Sequence, residues 1–206
     1  MSSNIPGGRF RALRIDAATG LLAGARQVLS PHFDERPAGM APELLVVHGI
    51  SLPPGEFGGP WIDRLFTGTL PAEAHPYFGE IIGQRVSAHA LIRRDAAIVQ
   101  YVPFGQRAWH AGKSEYRGRT ACNDFSIGVE LEGTDDTPYA DAQYQALAAL
   151  AAALLSRYAT LSTAAIVGHS DIAPGRKSDP GAAFEWPRFR AELAGHTAPG
   201  ERMRGS

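Results

Sequence analysis

The stretch LLVVHG at residues 44–49 is a short apolar run that ends in a histidine and a glycine. Short apolar runs closed by Gly or Pro are typical of β-strands. Four other stretches have the same character, and we predict strands at 87–94 (SAHALIRR), 97–103 (AIVQYVP), 126–133 (SIGVELEG) and 164–169 (AAIVGH). These strands are enough to build a central sheet.

Helical patterns lie between and after the predicted strands. The clearest is DAQYQALAALAAALLSRYA at 141–159, which is rich in the strong helix formers Ala and Leu. A last helix is predicted at 184–195, with Pro187 near its first turn, and short helices or turns at 58–68 and 72–82. The pattern predicts an α/β fold in which a central mixed β-sheet is flanked by helices.

The composition is that of an ordinary globular domain. The chain has 206 residues, 44% hydrophobic and 20% charged, and its net charge of −1 gives no argument for nucleic acid or membrane binding. The single Cys122 excludes an internal disulfide and a cysteine-based zinc cluster. We predict one domain at 21–194, between a flexible arm (1–20) and a flexible tail (195–206). Without a signal-peptide core or a membrane-spanning window, we expect a cytoplasmic protein.

Three chemically active side chains stand at or near the ends of predicted strands. His48 closes the first run, Glu130 lies near the end of the fourth, and His169 closes the last. In α/β sheets, ligand sites gather where strands end, because loops can converge there without disturbing the core. Two histidines and one carboxylate also form a catalytic zinc ligand set. The sequence therefore predicts a zinc site at the strand ends.

The polar loop GHSDIAPGRKSDPG offers two carboxylates, Asp171 and Asp179, as a further ligand. Asp171 is nearer to His169 in sequence, and proximity alone favours it. However, a short Asp beside a turn more often bonds nearby backbone amides, and Pro180 biases Asp179 toward an extended backbone. These arguments favour Asp179 as the ligand and leave Asp171 to shape the loop.

Several long motifs occur in order along the chain, namely LLVVHGISLPPGEFGGPWIDRLFTGTL, RVSAHALIRRDAAIVQYVPFGQRAWHAG, CNDFSIGVELEGTDD and GHSDIAPGRKSDPG. Over residues 21–190 they closely resemble the AmpD-type 1,6-anhydro-N-acetylmuramoyl-L-alanine amidases. The wider family includes phage lysozyme-type amidases and peptidoglycan recognition proteins. The resemblance implies a peptidoglycan recognition protein-like fold. It also implies hydrolysis of the amide between the lactyl group of anhydromuramic acid and L-alanine of the stem peptide.

The resemblance also assigns roles to individual positions. It implies one Zn²⁺ per chain bound by His48, His169 and Asp179, and catalytic roles for Glu130, Lys177 and Tyr77. Glu130 would move a proton from water to the departing amine, and Lys177 would stabilise the oxyanion.

Two further positions bear on this assignment. Glu132 shares a face with Glu130 in an ideal strand, so alternation does not separate them, and the resemblance decides for Glu130. We then expect Glu132 in a salt bridge at the strand exit. Gly49 stands where many relatives have Asn, so any substrate contact made by that Asn is missing here.

Basic residues concentrate between positions 85 and 119, at Arg85, Arg93, Arg94, Arg107, Lys113, Arg117 and Arg119. An arginine can bind a carboxylate of the stem peptide through two parallel hydrogen bonds. We take Arg85 and Arg119 as candidate substrate-binding residues and expect a solvated basic face for most of the others. Trp109, which could stack on a sugar, and His110, predicted to line the cleft, complete this set.

We therefore expect an anhydro-muropeptide amidase of peptidoglycan recycling, with an indirect role in β-lactamase induction. One alternative is a broad-range amidase that acts on intact peptidoglycan, which would require export. Another is a non-catalytic peptidoglycan sensor. The chain retains Glu130, Lys177 and the ligand set, and this argues against a sensor. No nucleic acid, membrane or obligate protein partner is predicted.

Overall fold

The computed structural model describes residues 12–197. Its strands are Arg26–Gln27 (β1), Phe33–Asp34 (β2), Leu44–Ile50 (β3), Ala90–Ile92 (β4), Ile98–Gln100 (β5), Arg107–Ala108 (β6), Glu115–Tyr116 (β7), Arg119–Thr120 (β8), Ser126–Glu132 (β9) and Ile166–Gly168 (β10). Six of them form a central mixed sheet in the order β1-β5-β4-β9-β3-β10. Two short antiparallel ribbons, β2 with β6 and β7 with β8, lie outside it.

Helices cover both faces of the sheet. They are Trp61–Phe66 (α1), Phe78–Ile81 (α2), Asp141–Arg157 (α3), His169–Ile172 (α4) and Trp186–Thr197 (α5), with 3₁₀ turns at Ala72–Ala74, Cys122–Asp124 and Thr163–Ala165. The main core joins α3 and α5 to one face, and a second cluster joins α1 and α2 to the other. The predicted mixed sheet flanked by helices is confirmed. None of the helices described is long and apolar enough to cross a bilayer.

The longest strands are parallel, and this sets the position of the functional residues. β4, β9, β3 and β10 run in one direction, so their carboxyl ends meet at one edge of the sheet. His48 on β3 lies opposite Glu130 on β9. Gly168, the last residue of β10, pairs with Val47, so His169 emerges beside His48. The three residues that the sequence placed at strand ends are therefore neighbours.

Strand β9 separates the core from the cleft by simple alternation. Ile127, Val129 and Leu131 belong to the core cluster that includes α3. Ser126, Gly128, Glu130 and Glu132 lie on the opposite face, because successive side chains of a strand point to opposite sides. The cleft face of this buried strand is therefore polar, and its groups need partners.

The buried side of helix α3 combines small and large apolar residues. Four alanines lie among its nine buried residues, and Leu147, Leu150 and Leu154 belong to the main core cluster. At the start of the helix, the Gln143 amide accepts a hydrogen bond from the Ala140 N–H at 3.0 Å. The same side chain donates to two carbonyls at the ends of β4 and β9, both at 3.1 Å. Gln143 therefore fixes the helix to the strand edge that carries the site.

Several predicted elements are shorter in the structure. The strand expected at 164–169 ends at Gly168, and His169 is instead the first residue of α4. The strands expected at 87–94 and 97–103 reduce to β4 and β5, because the chain turns between them through Ala96, whose φ is 69°. The helix expected at 141–159 ends at Arg157.

Residues near both predicted domain boundaries make contacts or belong to an element in the structure. Leu13 and Ile15, which the sequence analysis assigned to a loose arm, pack against the core, and Ile15 pairs with Leu22. At the other end, α5 continues past the predicted boundary at 194 to Thr197. The remaining parts of the arm and tail, 1–11 and 198–206, lie outside the described residues.

Glu132 is part of a buried ionic network that holds the chain before α1 against the sheet. Its Oε1 lies 2.8 Å from Arg93 Nη1 and accepts a hydrogen bond from the Gly58 N–H at 2.7 Å. Arg93 also reaches Asp63 on α1, at 3.4 Å. The salt bridge expected for Glu132 is therefore present, and it separates this residue from Glu130.

We predict that Arg93→Met lowers the free energy of unfolding by about 3 kcal/mol, because it leaves a buried carboxylate without its cation. The matched control is Arg119→Met, which breaks an exposed pair with Glu43 and should cost less than about 1 kcal/mol. Denaturant unfolding of both variants measures the difference. Equal losses would contradict a structural role for the Arg93–Glu132 pair.

Candidate metal centre and catalytic cleft

Three side chains converge at the strand edge with the geometry of a metal site. His48 Nδ1 lies 3.0 Å from His169 Nδ1, and Asp179 Oδ2 lies 3.2 and 3.1 Å from these two nitrogens. The ligand atoms all lie within 4.8 Å of one another. Both histidines are buried, whereas Asp179 keeps a small exposed fraction. These residues could hold one metal ion, and they include the aspartate favoured above.

The charge states of the cluster suit a divalent cation. Burial lowers the pKa of His48 to about 4, so its imidazole is neutral at physiological pH. Burial would raise the pKa of Asp179, but hydrogen bonds from His169 and His48 outweigh it, so this pKa is lowered and the carboxylate is ionised. Neutral imidazoles and an ionised carboxylate are the forms that bind metals.

The loop that carries Asp179 is anchored on both sides. The Asp179 carbonyl accepts a hydrogen bond from the Ser170 N–H at 3.0 Å, and the Tyr139 hydroxyl donates to the Pro180 carbonyl at 2.9 Å. Tyr139 fits there because Gly49 and Gly133 have no side chain; a Cβ at either position would collide with it. Gly49 is therefore explained by packing at this corner.

Asp171 has a different role from Asp179. Its Oδ2 accepts a hydrogen bond from the Gly168 N–H at 2.7 Å, at the start of α4. A carboxylate that bonds this amide stabilises the helix start. Asp171 therefore stabilises the backbone just before His169.

A cavity of about 420 Å³ opens beside the metal cluster. Glu130 lines it, is only 8% exposed, and its buried Oε2 has no hydrogen-bond partner among the described residues. Burial raises the pKa of Glu130 well above its usual range; the Asp179 charge raises this pKa further, and Lys177 opposes both. A buried carboxylate kept without a partner is costly to folding, so Glu130 is a candidate for a functional group of the cleft.

Three other residues predicted for the site line the same cavity. Lys177 lies on the Asp179 loop, Tyr77 stands just before α2, and His110 follows the β6 segment. His110 does more than line the cleft, because its Nδ1 lies 2.9 Å from His48 Nε2. Burial lowers the pKa of His110, which is therefore a neutral imidazole.

Arg85 and Trp109 are not among the residues that line this cavity. The Arg85 guanidinium carbon lies 5.2 Å from the Trp109 ring centre, and Trp109 Nε1 donates to Asp34 at 3.1 Å. Arg85 instead borders a smaller cavity of about 120 Å³, which shares Leu65 and Ile81 with the larger one. Arg85 therefore lies beside the neighbouring cavity, and Trp109 lines neither of the two.

Several of the basic residues between positions 85 and 119 form ion pairs and are not simply solvated. Arg93 is paired within the Glu132 network, and Arg107 lies 2.7 Å from Asp124 and also pairs with Asp34. Arg119 pairs with Glu43 at 2.6 Å, stacks on Phe125 and lies on β8, outside the cavity lining. Ion pairing thus accounts for much of this charge.

Sequence reasoning did not identify the apolar wall of the cleft. Leu65, Phe66, Ile81 and Val86 line the cavity together with the polar residues. The stretch WIDRLF contains a helical apolar spacing, but that spacing alone does not distinguish a cleft wall from a core face. The cleft therefore has both apolar and ionisable residues in its lining.

We predict that Asp179→Ala lowers the Zn²⁺ affinity more than about 100-fold. Removing a residue that only hydrogen-bonds a metal ligand lowers metal affinity about 10–100-fold, and removing a ligand itself should cost more. Asp171→Ala should keep the affinity within a few-fold and lower the free energy of unfolding by about 1 kcal/mol, since it loses one hydrogen bond to the backbone. Competition with a chromophoric chelator measures the first effect, and denaturant unfolding the second. The reverse pattern would overturn the ligand assignment.

Comparison with known proteins agrees with this geometry. The sequence profile of the N-acetylmuramoyl-L-alanine amidase family matches residues 38–182. The 1,6-anhydro-N-acetylmuramyl-L-alanine amidase AmpD of Escherichia coli K12 is 64% identical over 178 residues, which are 86% of this chain and 97% of that protein. The same-named protein of Haemophilus influenzae is 52% identical over equal shares.

Solved structures give the same result. A crystal structure of an AmpD selenomethionine derivative superposes with a TM-score of 0.83 at 64% identity, covering 85% of this chain and 97% of that one. AmpDh3 of Pseudomonas aeruginosa, in complex with anhydromuramic pentapeptide, superposes with a TM-score of 0.54 at 30% identity, covering 73% and 59%. The chain belongs to the N-acetylmuramoyl-L-alanine amidase family.

Proposed function

We propose that the chain is a zinc-dependent amidase of cytoplasmic peptidoglycan recycling. It hydrolyses the amide between 1,6-anhydro-N-acetylmuramic acid and L-alanine in muropeptides. Water adds to the lactyl carbonyl carbon and the C–N bond breaks, which releases a carboxylic acid and the free amino group of alanine. The similarity to proteins named for this activity, at up to 64% identity among those given above, supports the substrate class.

The donor set fits zinc. Two histidine nitrogens and one carboxylate oxygen are a donor set found in catalytic zinc sites. His48, His169 and Asp179 would hold the ion. Bound there, zinc would supply Lewis acidity to polarise the carbonyl and to make water a better nucleophile at neutral pH.

The observation that carries the proposal is the buried Oε2 of Glu130, which lines the cavity beside His48, His169 and Asp179 and has no hydrogen-bond partner among residues 12–197. With its pKa raised by burial, this carboxylate can take a proton from water and return it to the departing amine near neutral pH. The register between β3 and β9, in which Glu130 pairs with His48, holds it next to the ligand.

Lys177 supplies positive charge to the cleft. It lies on the loop between α4 and Asp179, and it lines the cavity together with Glu130. An ammonium group there stabilises negative charge that develops on the carbonyl oxygen. Tyr77 and the apolar wall border the space left for the sugar and the lactyl group.

We predict that Glu130→Gln keeps its zinc but loses about 10²–10⁴-fold in turnover, because an amide cannot take the proton. Lys177→Met should also keep zinc and lose about 10²–10³-fold. Lys113→Met is the matched control, since Lys113 does not line this cavity, and it should turn over like the unmodified protein. Turnover and zinc content are measured together. A Glu130 or Lys177 variant within a few-fold of the unmodified protein would refute its role.

We further predict a preference for released fragments. Purified 1,6-anhydro-muropeptides should be cleaved at least about 100-fold faster than intact sacculi at equal amide concentration, and chelation should abolish both activities. Product release followed by chromatography gives the two rates. Comparable rates would favour a broad-range wall amidase, and binding without turnover would indicate a peptidoglycan sensor.

A further inference from the structure

His110 contacts a proposed metal ligand from behind. His48 turns Nδ1 toward His169 and Asp179, and its other ring nitrogen, Nε2, lies 2.9 Å from His110 Nδ1. On the far side of the His110 ring, Nε2 lies 3.0 Å from the Ser126 hydroxyl oxygen. A chain of three side chains thus leads from the metal cluster to the cleft face of β9.

The two rings leave one consistent pattern of protons. If His48 Nδ1 binds a metal, its proton is on Nε2 and is donated to His110 Nδ1. His110 then carries its proton on Nε2 and donates it to Ser126 Oγ. Each link has one donor and one acceptor, so the orientation of His110 selects the tautomer of His48 that can bind a cation.

The His110 ring has little freedom to leave this position. It packs directly over Gly128 on β9, where any Cβ would collide with the ring. The Asn123 amide oxygen accepts hydrogen bonds from the backbone N–H groups of His110 and Ala111, at 3.1 and 2.8 Å. Arg36 in turn donates to the Asn123 carbonyl at 3.1 Å.

The same short segment also supports the second histidine. His169 Nε2 lies 3.3 Å from the Ala111 carbonyl oxygen, while its Nδ1 points into the metal cluster. The adjacent residues His110 and Ala111 therefore provide the outer hydrogen-bond acceptors of both histidines. One side chain, Asn123, fixes both of their amides.

We propose that His110 is a positioning residue for the metal centre: with Ala111, and fixed by Asn123 and Gly128, it orients His48 and sets its tautomer. This rests on the proposed metal-dependent function. It differs from the expectation that His110 binds substrate. Both ring nitrogens of His110 already lie within hydrogen-bond distance of His48 and Ser126, so neither is left for a substrate contact. Residues of the AWHAG and CND motifs thereby acquire a role in metal binding.

The test compares three variants with zinc alone as the probe, by competition with a chromophoric chelator. His110→Phe keeps a ring but removes the acceptor, and its zinc affinity should fall about 10–100-fold. His110→Asn places an amide oxygen near the position of Nδ1, and it should recover most of that loss. His32→Phe is the matched control, because the Nδ1 of this buried histidine lies 3.1 Å from the Val86 carbonyl oxygen and His32 forms none of the hydrogen bonds that hold His110. Its affinity should stay within about threefold of the unmodified protein.

Two further measurements separate positioning from other roles. Thermal unfolding of the metal-free proteins should show similar losses for His110→Phe and His32→Phe, so that stability does not explain the difference in affinity. At saturating zinc, His110→Phe should keep its KM for anhydro-muropeptide, whereas the loss of a substrate contact would raise it. If His110→Phe does not fold, Ser126→Ala should still lower the zinc affinity by several-fold, because it removes the acceptor for His110 Nε2.

The outcomes are distinct. Unchanged zinc affinity in His110→Phe, or equal loss in His110→Asn and His110→Phe, would overturn the positioning role. If His110→Phe cannot be measured, unchanged affinity in Ser126→Ala would overturn it as well. An unmodified protein without measurable zinc affinity would instead refute the proposed metal centre itself.

Discussion

Hydrogen bonding between parallel strands β10, β3 and β9 fixes the spacing on which the site depends. His48 and Glu130 are direct neighbours across β3 and β9, and His169 leaves β10 next to the same residue. The spacing of neighbouring strands sets these distances, and they do not depend on flexible loops. A slip of one residue in β9 would turn Glu130 into the core that α3 covers and would expose its apolar neighbours. The apolar residues of β9 therefore position the face that lines the cleft by being buried on the other side.

A buried polar strand face is stable only if its groups find partners, and here nearly every one does. Ser126 bonds His110, Gly128 gives the same ring its space, and Glu132 pairs with Arg93. Glu130 differs from them because one of its oxygens is left without a partner among residues 12–197. Unpaired buried groups weaken the fold, so their retention points to chemistry at that atom. Glu130 and Glu132 lie on the same face of the strand, so alternation alone does not distinguish them. Their partners do, because Glu132 is ion-paired and Glu130 keeps an oxygen without a partner among the described residues.

The sequence predicted those parts of the molecule that have a strong local signal. The long strands β3 and β9, the helix α3 and the grouping of His48, Glu130 and His169 all follow from apolar runs and their ends. Two-residue strands such as β2 and β6 carry no such signal, because long-range pairing alone defines them. For the same reason, neither the contact of His110 with His48 nor the seat of Tyr139 against Gly49 and Gly133 could be read from spacing. His169 was misplaced by a single residue, since a strand end and a helix start share the same flanking glycine.

The assignment of the aspartates follows from backbone demands as much as from ligand geometry. Where β10 ends and α4 begins, amide groups at the helix start need acceptors, and the nearest carboxylate, Asp171, meets that need at Gly168. Its position two residues after His169 therefore directs it to the helix and away from the cluster. Asp179 comes from a loop that returns to the strand edge, where Ser170 and Tyr139 bond its backbone and that of Pro180. Its carboxylate is free to meet both histidines because other groups satisfy the backbone around it. A proposed ligand so placed would need little reorganisation on metal binding, because the loop that carries it is already anchored.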